Sequence, residues 1–289
     1  MPAGPAPSAP PTPSATPATP APSAPPEARP TGPSARPRRP AGLLGRARPA
    51  AARLYSRLLM RRPPADWSVP RADGRYGPPA PADDRPLALL MLGDSLAQSL
   101  GAGHAEETLG ARLAQALGEQ LGRPVDLRVL ARAGATTTGA RRQATRAARL
   151  GPGIAVLIVG SNDMLLPLPL GRSARGFAHL VRALREAGWQ PVVVPCPDPA
   201  HGPGFRAPAR WAGGRRARRL ARLHIRAAQR VGAVLAPSSG GYFRERADEL
   251  LSPDGVHPSP QGYAEYAQRM LPAVLTAAGL LADAEPVQA

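Results

Sequence analysis

From Pro86 onward, short apolar runs alternate with stretches in which apolar residues recur every three to four positions. Residues 87–92, Leu-Ala-Leu-Leu-Met-Leu, are apolar throughout, as expected of a strand covered on both faces of a sheet. Stretches rich in apolar residues at 125–130, 154–159 and 190–195, with a shorter one at 234–237, predict four more strands. Between them lie helical patterns. One covers 105–121, with Leu109, Leu113, Leu117 and Leu121 on one face. Others cover 138–150, 171–187 (Phe177, Leu180, Val181 and Leu184) and 211–231. A last helix is predicted over 260–281, where Pro260 suits the first turn and Pro272 is expected to kink the rest. Alternating strands and helices predict an α/β fold, a three-layer α/β/α sandwich around a five-stranded parallel sheet. The domain is expected over 86–282, with a short tail at 283–289.

The first 85 residues lack this pattern. Residues 1–40 are Pro, Ala, Ser and Thr with almost no large apolar side chain, so they cannot bury enough surface to offset their ordering entropy. They are expected to be disordered and partly extended. Residues 41–62 turn amphipathic, with Leu43, Leu44, Leu54, Leu58 and Met60 among many Arg. A basic helix lying on a membrane surface is one reading. A short arm packed on the domain, or a basic linker, is the other; the short stripe and the Pro63–Pro64 stop favour it. Residues 66–85 read as a linker with two anchoring aromatics, Trp67 and Tyr76. The front has no basic start followed by an apolar run, and no stretch is long and apolar enough to span a membrane. The expected location is the cytoplasm, with the inner membrane face open to the basic arm.

Charge modifies this picture less than its size implies. The 289-residue chain carries 37 basic against 20 acidic residues, a formal charge of +17, and every basic residue is Arg. With Ala, Gly and Pro also abundant, this resembles the bias of a GC-rich genome, which weakens charge as a sign of nucleic-acid or membrane binding. The densest stretch, 206–230, reads first as a solvated helix face. An anionic lipid surface or an anionic acyl substrate is the sharper reading. Nucleic acid ranks last, because no aromatic interleaving or binding motif accompanies the Arg. The single cysteine, Cys196, excludes an intrachain disulfide and reads as a buried small hydrophobe.

Candidate chemistry collects at the strand ends, which a parallel sheet gathers on one edge. Asp94 and Ser95 follow the first strand, Gly134 the second, and Gly160-Ser-Asn-Asp163 the third. The segment Ser252-Pro-Asp-Gly-Val-His257 precedes the last helix. Ser95 alone could simply cap the next helix. The full set meets the needs of acyl transfer: a hydroxyl nucleophile at Ser95, a base at His257, and a carboxylate at Asp254 to orient it. The backbone N–H groups of Ser95 and Gly134 and the Asn162 amide are candidate oxyanion donors. Asp94 is expected to hold its turn and Asp163 to brace the Asn162 loop. His104 is expected to cap or face solvent, and His179 and His224 to be exposed; His201 sits in a loop that could line a pocket.

In these four blocks, in this order, the chain resembles the SGNH hydrolases, also called the GDSL esterase/lipase family: Gly93-Asp-Ser-Leu96, Gly134, Gly160-Ser-Asn-Asp163 and Asp254-Gly-Val-His257. The resemblance covers 86–281 and implies a flavodoxin-like sandwich. It also implies Ser95, His257 and Asp254 as the triad, Ser95, Gly134 and Asn162 as the oxyanion hole, and no metal or cofactor. Ala97 stands where a Gly-x-Ser-x-Gly hydrolase would have its second glycine. The expected function is a serine esterase acting on a small-molecule or lipid ester, as a monomer. An acyltransferase or deacylase with the same triad is one alternative; an inactive basic binding protein on a hydrolase fold is the other.

Overall fold

The computed structural model describes residues 67–79, 85–167, 169–199, 202–238 and 240–283, together with Gly4, Met60, Arg61 and Pro64. The expectations for 1–40, for most of 41–62 and for His201 lie outside the described residues.

Six strands form one sheet in the order β1-β3-β2-β4-β5-β6. They are β1 (Gly74–Tyr76), β2 (Leu87–Gly93), β3 (Val125–Val129), β4 (Gly153–Ile158), β5 (Trp189–Val194) and β6 (Val234–Leu235). The last five are parallel, as expected, and β1 adds an antiparallel edge beside β3. This edge strand lies in the stretch read as linker. Only three residues long, it has no apolar run to announce it. It is held by backbone pairing, by the exposed Arg75–Asp126 ion pair at 2.9 Å, and by the Tyr76 hydroxyl donating to the Ala72 carbonyl.

The helices are α1 (Ser95–Gln98), α2 (Leu109–Leu121), α3 (Thr137–Ala147), α4 (Ser161–Leu165), α5 (Leu170–Glu186), α6 (Ala207–Gln229), α7 (Gly240–Glu245), α8 (Ala247–Leu250) and α9 (Pro260–Ala282). The helix expected over 105–121 is broken at Thr108. A 3-10 turn (Ala105–Glu107) precedes that residue, whose hydroxyl accepts from the Ala111 N–H to start α2 afresh. Helix α9 runs through Pro272 without interruption.

Side chains alternate across β2 and split the core in two. Leu89 and Met91 pack with α2 and α9, where Tyr263, Tyr266, Met270 and Val274 are wholly or almost wholly buried. Leu90 and Leu92 pack with α3, α5 and the inner stripe of α6. That stripe corrects the reading of His224. Ala217, Leu220, His224, Ala227 and Ala228 recur at helical spacing, so the imidazole is buried at 0 % exposure and stacks on Phe177 at 3.8 Å. Cys196 is buried, as expected.

Among the parallel strands the spatial order reverses between β2 and β4, and the carboxyl ends beside such a reversal form a crevice. Ser95 follows β2 and Asn162 follows β4, so both stand at that crevice.

Candidate active site

The turn that carries Ser95 is fixed before any catalytic contact is made. Gly93 ends β2 at φ +131°, where a Cβ would lie 1.7 Å from the Ile158 carbonyl oxygen, so only glycine fits. The buried Gln143 carboxamide clasps this residue from α3. Its Oε1 accepts from the Gly93 N–H at 2.7 Å, and its Nε2 donates to the Gly93 carbonyl at 2.9 Å. Asp94 then caps α1 by accepting from the Leu96 N–H. Ser95 is therefore the first residue of a short helix, not its cap. Burial pushes the Asp94 carboxyl up to about 7.

The segment 252–258 brings up the partner groups. It is closed by Ser252 N–H donating to the His257 carbonyl at 2.8 Å and by the Ser252 hydroxyl donating to the Pro258 carbonyl. Asp254 Oδ1 accepts from the backbone N–H groups of Val256 and His257 at 2.9 and 3.0 Å. Its Oδ2 lies 2.6 Å from His257 Nδ1. Burial alone would raise the Asp254 pKa; the His257 ring and these two N–H donors outweigh it and hold the carboxyl below its usual range. A carboxylate facing Nδ1 places the ring proton there and leaves Nε2 as an acceptor. That nitrogen is 2.8 Å from Ser95 Oγ, across 162 positions of sequence.

Asn162 and Asp163 open α4. The Asn162 Nδ2 donates one bond, at 3.0 Å, to the Ala135 carbonyl, and an amide nitrogen carries a second hydrogen. Asp163 accepts from the Thr137 N–H at 2.8 Å and the Ser173 hydroxyl at 2.7 Å, tying α4 to α3 and α5 as the bracing expectation requires. Gly134 stands one step back. It sits in the turn before Ala135, at φ +77°, and is not among the residues that line the cavity. His104 and His179 are exposed, as expected.

Ser95, Asn162 and His257 line one cavity of about 100 Å³. Its wall is mostly apolar, from residues including Leu96, Met164, Leu165, Phe205 and Val256, with Asp94, Ser161 and Asp198 also lining it. One further wall residue and one ring contact come from the front of the chain, from the stretches read as an arm or basic linker and as an anchored linker. Met60 lines the cavity and bridges Phe205, while the Arg61 N–H donates to the Gly204 carbonyl at 2.9 Å. The Trp67 ring meets the His257 ring edge-on, with centroids 6.3 Å apart. Trp67 had been marked as an anchor; nothing in the composition around Met60 marks it as a cavity wall.

A family model for GDSL-like lipases and acylhydrolases matches residues 91–265, more than half of the sequence. The chain belongs to the GDSL-like lipase/acylhydrolase family. Within that family it is 35 % identical over 207 residues to the GDSL-like esterase Rv1075c of Mycobacterium tuberculosis, across 68 % of this chain and 66 % of that relative, a little under two thirds of its length. Solved structures share the fold at lower identity. TesA matches with a TM-score of 0.55 at 18 % identity, over 66 % of this chain and 99 % of its own. The psychrotrophic esterase EstA from Pseudoalteromonas sp. gives 0.54 at 18 %, over 66 % and 98 %. Axe2, an acetylxylan esterase from Geobacillus stearothermophilus, gives 0.52 at 17 %, over 65 % and 94 %.

Proposed function

We propose that the protein is a serine esterase that hydrolyses carboxylic esters of short acyl chains through an acyl-serine intermediate. The observation that carries this reading is the unbroken relay from Ser95 Oγ through His257 to Asp254, at 2.8 and 2.6 Å, at the edge of an apolar cavity. In this mechanism Ser95 Oγ attacks the ester carbonyl while His257 Nε2 takes its proton. Asp254 stabilises the imidazolium and stays ionised, which fits its depressed pKa. The Ser95 and Gly134 N–H groups and the second Asn162 amide hydrogen are assigned to the oxyanion. Collapse expels the alcohol, protonated by His257. Water, activated by the same base, then releases the acid and restores Ser95.

Cavity size supports a short acyl group. The cavity beside Ser95 is compact, about 100 Å³, and its lining is mostly apolar. The test is hydrolysis of p-nitrophenyl acetate, butyrate and octanoate by the wild type and by Ser95→Ala, with a fluorophosphonate probe read by mass spectrometry. The expected result is turnover that declines from butyrate to octanoate, loss of turnover in Ser95→Ala, and probe adduct on Ser95. Absence of both turnover and adduct would overturn the reading in favour of a binding protein on a hydrolase fold.

A further inference from the structure

The two helical layers of the sandwich differ sharply in charge. Helices α3, α5 and α6, packed on one face of the sheet, carry fourteen Arg and one acidic residue, Glu186. Helices α2 and α9, on the other face, carry one Arg and one Glu each. A genome-wide drift toward Arg has no means of choosing between the faces of a sheet, so composition does not account for the segregation. Thirteen of the fourteen are exposed; Arg216 is half-buried and donates to the Met164 and Leu166 carbonyls.

The charge is also organised around an aromatic. On α6, Trp211, Arg215, Arg218, Arg222 and Arg226 recur at intervals of three and four, which places them along one side of the helix. Trp211 is 69 % exposed, the most exposed large apolar side chain among the described residues, and the Arg215 guanidinium sits 4.7 Å from its ring centroid. This end of α6 borders the candidate active site. Phe205 lines the cavity two residues before the helix begins, and Gly213 packs closely on Pro199 and Met164, which also line it.

We propose that the α3–α5–α6 face docks the protein on an anionic phospholipid bilayer, with Trp211 seated at the headgroup level and the cavity mouth held beside the surface. A broad basic face binds anionic lipid through summed, salt-sensitive attraction, and an exposed Trp is the side chain suited to the boundary between headgroups and acyl chains. A duplex would more naturally be met by a helix or strand set into a groove, and the basic charge here is spread over three packed helices instead. The inference does not depend on the esterase reading, because its readout is binding.

The experiment is flotation of the full chain with phosphatidylcholine vesicles, with and without phosphatidylglycerol, alongside a duplex DNA shift assay. Binding is expected only with phosphatidylglycerol, and to weaken about tenfold or more between roughly 0.1 and 0.5 M NaCl. Arg215→Glu/Arg219→Glu/Arg222→Glu should weaken it by at least about tenfold, with the melting temperature and any p-nitrophenyl acetate turnover unchanged. On vesicles the wild-type Trp emission should shift to the blue, and Trp211→Phe should lose that shift. Equal binding to neutral vesicles, full binding by the triple variant, or tight DNA binding without vesicle binding would each overturn the proposal.

Discussion

Replacing Gln143 by Leu tests whether the serine turn is held from behind as the structure indicates. The substitution removes both bonds between the carboxamide and Gly93. The Gly93 carbonyl keeps the Arg132 N–H at 3.0 Å, but the Gly93 N–H is left buried without a partner. An orphaned buried donor costs about 1–3 kcal/mol, and the second lost bond adds about 1, giving about 2–4 kcal/mol in all. For a domain of this size each kcal/mol shifts the melting temperature by about 2–4 °C, so a fall of about 4–16 °C is expected. Freed from the clasp, the Gly93–Ser95 turn drifts, and a displacement of about 1 Å is enough to lower kcat about a hundredfold. Both quantities can be read on one preparation, by thermal unfolding and by p-nitrophenyl butyrate turnover. Gln143→Glu supplies the control, because its carboxyl can make both bonds only when protonated. Its deficit against the wild type should narrow as the pH falls. A Gln143→Leu variant that melts within about 2 °C of the wild type and keeps its kcat would refute the reasoning.

Three other outcomes follow from the same geometry. Asp254→Asn keeps the shape of the loop but favours the wrong imidazole tautomer, so kcat should fall about 10³–10⁴-fold with little change in melting temperature. Met60→Ala removes part of the cavity wall, and the rate on octanoate relative to acetate should rise severalfold; an unchanged ratio would remove Met60 from the acyl site. The last concerns pH. Burial lowers His224 from 6.5 to about 3, so its contribution to stability is full above pH 6.5 and is lost as the pH falls toward 3. Burial raises Asp94 from 3.8 to about 7, so its contribution is full below 3.8 and is lost as the pH rises toward 7. Each slope is at most about 1.4 kcal/mol per pH unit, and the two oppose each other between about pH 4 and 6.5. Urea unfolding should therefore show Asp94→Asn losing stability on acidification relative to the wild type, and His224→Phe gaining it. Parallel pH profiles for all three proteins would exclude this account.

What could be read in the sequence follows the size of the local signal. Strands β2 and β4 are continuous apolar runs and β3, β5 and β6 shorter or mixed ones; Ser95 and Asn162 stand out because they follow β2 and β4, and the Asp254–His257 pair because it precedes the last helix. Strand β1 was missed because its three residues are held by cross-strand pairing rather than by an apolar face of their own. Two side chains, one overlooked and one misread, did leave a trace. Gln143 lies on the inner stripe of α3 with Ala140, Ala144 and Ala147, and His224 lies on that of α6; a lone polar residue on an apolar stripe marks either a hydrogen-bonding task or a buried ring. The density of Arg around His224 hid that periodicity. Met60 reads only as part of an arm packed on the domain; that it meets Phe205 in the cavity wall is a tertiary contact between segments far apart in sequence.

The order in which the site is assembled has a consequence for the protein during its synthesis. When β6 has left the ribosome, the whole sheet and the Ser95 turn can form, with Asn162 beside them. His257 and Asp254, the base and carboxylate of the proposed mechanism, are still to come, in a loop next to α9, which lays Tyr263, Tyr266 and Met270 into the core and whose Tyr263 hydroxyl donates to the Leu100 carbonyl at 2.8 Å. Until that loop is in place, the His257 ring is not beside Ser95 Oγ. In the proposed mechanism the nascent chain then carries Ser95 without its activating base, and labelling of Ser95 by the fluorophosphonate probe would report that translation and folding have both passed α9.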